Sequence, residues 1–341
     1  MKYFTHPKGI FEIKIPLDWH YKNEVAGYED QSPFSFELFE EAKGCFQISC
    51  YHETEKPLNP TLPKHDYNTT NLKFIPAELP DSEFKILLWA TIAGEYFFMA
   101  KYIYQPNEVD SKVVKEQLAK VESSLSTLMC LSPDRRELAI GFDRFEKFNA
   151  SLAASFDLKN KAMENLSFIE LIILSANQID AYLRLCIVFK FQIIENTLLF
   201  KLEYLFQGEK DKPLIEKKVY DKAKDMNIIS EAQHEKLYLL YDRRNKVVHR
   251  YIITDIKTKE LLEIGYEYEL LCEEVRLVLR SIEAEQFDKK IGYHGLKDPH
   301  RERDKNHVDE LFLWLMINIS IRSFIATYKT TANKSICNKE V

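Results

Sequence analysis

The 341-residue chain has only nine glycines, and none lies in a phosphate-binding loop. Gly-x-x-x-x-Gly-Lys-Ser/Thr, Gly-x-Gly-x-x-Gly and Gly-x-Ser-x-Gly are all missing, so no motif argues for a P-loop NTPase, a dinucleotide enzyme or an α/β-hydrolase. No cofactor is expected on this ground. No His-Glu-x-x-His helix occurs, and His294, His300 and His307 are spaced so that they do not share a helix face. No metal is expected. The six cysteines, at 45, 50, 130, 186, 272 and 337, form no Cys-x-x-Cys. That pattern reads as reduced thiols in a cytoplasmic protein rather than a disulfide framework. Positive charge is also short: 47 Lys and Arg against 53 Asp and Glu leave a net charge of −6. Any nucleic acid would need a local basic patch. The most apolar run, 311–321, ends at Arg322 and is shorter than the ~20 residues a bilayer needs, so no membrane is expected. It reads as a buried or dimer-forming helix. The first residues lack the charged-then-apolar pattern of a signal peptide.

What is present is an ordinary globular composition, 45% hydrophobic and 29% charged, in a chain long enough for two domains. Residues 1–130 are rich in aromatic and β-branched runs: 11–15, 34–39, 44–53, 84–92 and 95–104. The last two flank Ala93-Gly94 and predict a hairpin. A Pro- and Asn-rich stretch, 56–71, lies between strands, and Val113, Val114, Leu118, Val121, Leu125 and Leu128 mark a helix over 110–129. The opening Phe-x-Ile-x-Ile-Pro-x-x-Trp, from Phe11 to Trp19, followed by hairpins and a terminal helix ending in SSLSTL, resembles the PsbP-like α/β sandwich. That resemblance implies a binding or regulatory module. No catalytic constellation appears in this half.

LSPDRREL, 131–138, has loop chemistry and marks the boundary, and from 137 to 330 the pattern is helical. Phe142, Phe145, Phe148, Leu152 and Phe156 line one stripe; Leu166, Ile169, Ile172, Ala176, Ile179 and Leu183 line the next. Asn177, Gln178, Asp180 and Arg184 interrupt the second. A short helix is expected over 195–206, and a third stripe runs from Leu261 to Ile282. Helices over 164–192, 231–250 and 260–285 make an up-and-down bundle, with an apolar helix over 308–327 covering it or a partner. The fold class is therefore α+β: an antiparallel sheet with a helix, then an all-α bundle.

The chemistry concentrates between Ser230 and Tyr251. Ser230 and Gln233 predict a capping box, and Leu237, Leu240, Tyr241, Val247 and Val248 give an apolar stripe. On it sit Arg243, Arg244, Asn245, Lys246, His249 and Arg250. Histidine suits a general base near neutral pH, and an arginine fork suits a phosphorane-like transition state. Asn245 would orient the imidazole or the phosphate. Arg243, Lys246 and Arg250 would hold neighbouring phosphates. Five residues turn a helix by about 140°, so Arg244 and His249 do not share a face, whereas Asn245 and His249 do. A second copy of the chain would solve this.

Arg244-Asn245, then His249, then Tyr251 resembles the HEPN superfamily, marked by Arg-x4-6-His with a polar residue after the arginine. The Arg-x4-His-x-Tyr form is similar to that of HEPN toxins paired with minimal nucleotidyltransferase antitoxins. The resemblance covers roughly 160–285. It implies a homodimer with a composite site, metal-independent RNA cleavage leaving 2′,3′-cyclic phosphates, and a toxin or phage-defence role. It further implies an antitoxin or regulatory partner that adenylylates Tyr251. Asp180 is a candidate to hold Arg244, or a plain surface carboxylate. Arg301 and His307, with five residues between them, also match Arg-x4-6-His, in a polar stretch read as a solvated loop. The alternative function is a non-catalytic adaptor whose bundle dimerises, with Arg244 in a structural ion pair and His249 favoured by the helix dipole.

Overall fold

A computed structural model describes residues 1–295 except 29, 39–42, 57, 80–82 and 209–210. The Arg301/His307 pair, the 308–327 segment and Cys337 lie outside the described residues. The chain divides into two compact units, 1–143 and 144–341. It has mixed α and β content.

The first unit contains β1 (Lys2–Thr5), β2 (Phe11–Ile15), β3 (Trp19–Tyr21), α1 (Lys22–Val25), β4 (Phe34–Leu38), β5 (Cys45–His52), β6 (Lys64–His65), β7 (Ile75–Glu78), β8 (Lys85–Ala93), β9 (Tyr96–Tyr104), α2 (Lys112–Leu125) and β10 (Met129–Cys130). A small antiparallel sheet runs β1-β2-β10, and a larger one runs β3-β4-β5-β9-β8-β6. β7 pairs antiparallel with β8, and β6 pairs parallel with β8. β9 alternates strictly between buried and half-buried residues, which puts Phe98, Ala100, Tyr102 and Tyr104 inside. They meet Phe11 and Ile13 from the small sheet and Val114, Val121 and Leu125 from α2 in one core. The predicted hairpin is present: Ala93 faces Tyr96 across a two-residue turn. Gly94 takes φ +56° there, and a Cβ on it would meet the Tyr67 ring.

The second unit is helical among the described residues. It takes up the helix α3 (Pro133–Glu164), within which the division falls, and continues with α4 (Phe168–Glu195), α5 (Leu202–Leu205), α6 (Glu216–Asp225), α7 (Glu231–Arg250) and α8 (Thr258–Lys289). The 131–138 stretch is thus mostly the first turn of α3, not a loop: Pro133 sits where a helix tolerates proline. The short helix expected over 195–206 shrinks to α5. Asn196 caps α4 in the left-handed conformation, and the Gln192 amide donates to the carbonyls of Leu198 and Leu199. α4 packs chiefly on α8. It is also the one described helix long and apolar enough to cross a membrane, and 67% of its apolar window is buried within the protein. Its apolarity is accounted for by that burial.

Charge enters this core in matched form. Lys159 of α3 meets Glu269 of α8 at 2.7 Å, with both side chains nearly fully buried. Ser175 donates to the same carboxylate at 2.6 Å, and Gln178 accepts from Lys159 at 3.0 Å while donating to Ser155. Three helices are tied together by this network.

Candidate functional site

α7 is positioned at its start by sequence-local chemistry. The Ser230 hydroxyl accepts from the Gln233 backbone N–H, and the Gln233 side chain accepts from the Ser230 N–H, so the capping box is complete. Behind it Ile228 and Ile229 are buried, and Leu237, Leu240 and Val247 seat the helix in the bundle. Tyr241 is only half-buried. Val248 departs from expectation and is 41% exposed.

Arg244 points inward. Its Nη1 donates to both carboxylate oxygens of Glu216 on α6, at 2.7 and 2.8 Å. Its Nη2 donates to Asn245 Oδ1 at 3.1 Å, and its guanidinium lies over the Tyr241 ring. The Tyr220 hydroxyl donates to Glu216 as well. Burial alone would weaken the Arg244 charge, but the Glu216 hydrogen bond and charge more than offset it, so the guanidinium is held ionised.

Asp180, the candidate partner of Arg244, pairs instead with Arg184 on its own helix, at 2.6 Å. Arg184 sits one turn further along α4 and reaches the carboxylate without crossing between helices. Burial pushes the Asp180 carboxyl up, although Arg184 pulls the other way. Its Oδ1 has no hydrogen-bond partner among the described residues. Arg243 is likewise committed, to Glu267 of α8 at 2.6 Å, and is not free to hold a phosphate as expected.

His249 lies in the last turn of α7, exposed, with no hydrogen bond or ion pair among the described residues. Lys246 and Arg250 are exposed beside it and equally unpaired among those residues. The helix closes into a 3-10 turn, Tyr251–Ile253, where Tyr251 is 38%, Ile252 95% and Ile253 81% exposed. Within one chain, then, the motif splits. Arg244 and Asn245 are bonded to each other, and His249 makes no hydrogen bond to either among the described residues. No group of His, Cys, Asp or Glu suited to a metal occurs among the described residues. His294 packs edge-on against Phe189.

Glu216 was not legible as a site residue. It lies 28 positions before Arg244 with no spacing that links the two. The buried Gln178 was signalled, as a polar break in an apolar stripe.

No protein-family model matches the chain, and no curated protein matches it. A crystal structure of a protein from Bacteroides thetaiotaomicron VPI-5482, determined at 1.50 Å, is similar at 16% identity, covering 72% of this chain and 79% of that one with a TM-score of 0.27. A likeness at that level fixes neither fold nor function.

Proposed function

We propose that the helical unit is a HEPN-like, metal-independent endoribonuclease whose site is completed by a second copy of the chain. One observation carries this reading: an exposed imidazole, His249, flanked by the exposed cations Lys246 and Arg250, all three without a partner among the described residues. A solvated histidine of this kind is available to take the proton of a ribose 2′-hydroxyl. Arg244, kept charged and linked to Asn245, supplies the hydrogen-bond fork for the phosphate. Lys246 and Arg250 hold the flanking phosphates, and the net charge of −6 makes RNA binding a local matter. The apolar surface of Val248, Tyr251, Ile252 and Ile253 beside the imidazole is where the second copy would seat, bringing its own Arg244 toward this His249. Tyr251, exposed two residues past His249, is the place an antitoxin-like nucleotidyltransferase would modify. The β-rich unit, read as a PsbP-like sandwich, would then select the target or bind the neutralising partner, in a cytoplasmic toxin or defence system.

The test compares wild type with His249→Ala on RNA in the presence of a chelator, with RNA ends mapped. Wild type leaves 2′,3′-cyclic phosphates, and His249→Ala loses about 10²–10⁴-fold in rate. Undiminished cleavage by the variant removes His249 as the base.

A second reading is favoured by the Arg244–Glu216 and Arg243–Glu267 ion pairs, which tie two of the three arginines into the bundle. On it the unit is a non-catalytic, dimerising adaptor. It predicts no cleavage, and a dimer that survives the change of both Arg244 and His249 to alanine.

A further inference from the structure

We infer that Glu216 is an internal stand-in for the phosphate that Arg244 receives, so that a substrate binds only by displacing it. This rests on the nuclease reading and names what gates that site. Both Glu216 oxygens sit on one guanidinium nitrogen at 2.7 and 2.8 Å, a terminal nitrogen that a phosphate oxygen would otherwise take. The other terminal nitrogen is held by Asn245 at 3.1 Å. Nη1 is thereby taken, and no phosphate reaches that nitrogen while Glu216 stays.

The carboxylate has somewhere else to go. The Tyr220 hydroxyl, one turn along α6, donates to its Oε2 at 3.0 Å from the buried side and leaves Oε1 without that anchor. Glu216 also occupies the first turn of α6, where the helix dipole favours a negative charge with or without Arg244. Its side chain is 21% exposed against 13% for Arg244, so the acid lies nearer the solvent. Asp180 does not take over, because Arg184 holds it.

The consequence is selection by valency. A tethered carboxylate competes at high effective concentration, so a lone phosphate loses to it. At the composite site proposed above, a polynucleotide brings further phosphates to Lys246 and Arg250 of the second copy and wins by the added contacts. The ligand class is a single-stranded polyphosphodiester rather than free phosphate or a mononucleotide.

The experiment uses the full-length chain and a short single-stranded RNA methylated at every 2′-hydroxyl, which cannot attack itself. Affinity is measured against salt for wild type, Glu216→Gln, and Glu216→Gln with Arg244→Ala. Removing the competitor should tighten binding roughly tenfold and steepen the log–log salt slope by about one, since one more phosphate contact forms. The double variant should lose both gains. A folded Glu216→Gln that binds no tighter, or with an unchanged slope, overturns the inference. If Glu216→Gln does not fold by circular dichroism, Glu216→Asp takes its place. Its shortened carboxylate should give tighter binding than wild type, and wild-type or weaker affinity overturns the inference. Cleavage by wild type against His249→Ala judges the nuclease reading separately. A cleaving enzyme with an unmoved Glu216→Gln affinity retires the stand-in alone. A non-cleaving protein whose affinity still gains through Arg244 retires the nuclease alone.

Discussion

The interior of the β-rich unit and the interior of the helical unit treat ionisable groups in opposite ways. In the first, rings and aliphatic chains fill the space, and the groups that can titrate are kept uncharged. Burial, with Lys8 and Arg136 nearby, lowers the His6 imidazole to about 4, and burial pushes the Cys50 and Cys130 thiols up to about 12. In the second, charges are taken inside and matched: Lys159 with Glu269, Arg244 with Glu216, Asp180 with Arg184. A pleated sheet sorts its side chains by simple alternation and fixes its register through the ladder. Long helices can slide and rotate against one another, and a matched charged network across α3, α4 and α8 picks one arrangement. The sheet unit is therefore vulnerable to acid, and the bundle to the loss of a single partner.

The sharpest way to break this contrast is Lys159→Met. It leaves Glu269 buried and uncompensated, and should cost about 3–5 kcal/mol. Urea unfolding followed by peptide-resolved hydrogen exchange should show the loss in α3, α4 and α8 and spare the strands. Adding Glu269→Leu should restore most of it. A cost near zero for the single change would mean the pair is not a buried charged one.

Next in size is the acid response of the sheet unit. His6 is neutral when folded and prefers its proton when unfolded, so the unfolded state binds more protons between the two values. The stability it contributes is whole above about 6.5 and is lost as pH falls toward about 4, by roughly 3 kcal/mol in total. His6→Asn, which cannot titrate there, should flatten the fall in the strands' exchange protection between neutral pH and pH ~4.5. An unchanged pH profile in that variant would assign the acid lability elsewhere.

The smallest effect tests how α7 is placed. Ser230→Ala removes the hydroxyl that accepts from Gln233 and should lower stability by about 1 kcal/mol. A thermal melt reads it, and the first turn of α7 should exchange faster while α4 does not.

How far the chain could be read from its residues follows the same line. Strands over 11–15, 34–38, 45–52, 85–93 and 96–104 match runs of alternating aromatic and β-branched residues. α7 spans Glu231–Arg250 as its capping box and stripe predict. In the α8 stripe, Leu261, Ile264, Tyr268, Leu271, Val275, Leu279 and Ile282, read from their helical spacing, are all buried. Lys2–Thr5, Trp19–Tyr21, Lys64–His65 and Ile75–Glu78 escaped, being short segments whose extended form depends on a neighbouring strand. The site was legible only as far as the helix that carries it. Which acid would claim Arg244 depends on how α6 lies against α7, and no local spacing encodes that. Asp180, read as either a holder of Arg244 or a plain surface carboxylate, is claimed by a cation on its own helix.

The α-helix gives way to a 3-10 turn immediately after Arg250, so the two halves of the motif have different mechanical footing. The guanidinium end is clamped inside the bundle by Glu216 and by buried Leu240 and Val247. The imidazole end belongs to a terminal turn whose last carbonyls have lost their intrahelical donors, where fraying costs least. A rigid anchor and a loose tip on a single helix let the tip search for its position while the anchor stays put. Whatever completes this site therefore needs to immobilise only one turn of α7, besides displacing Glu216.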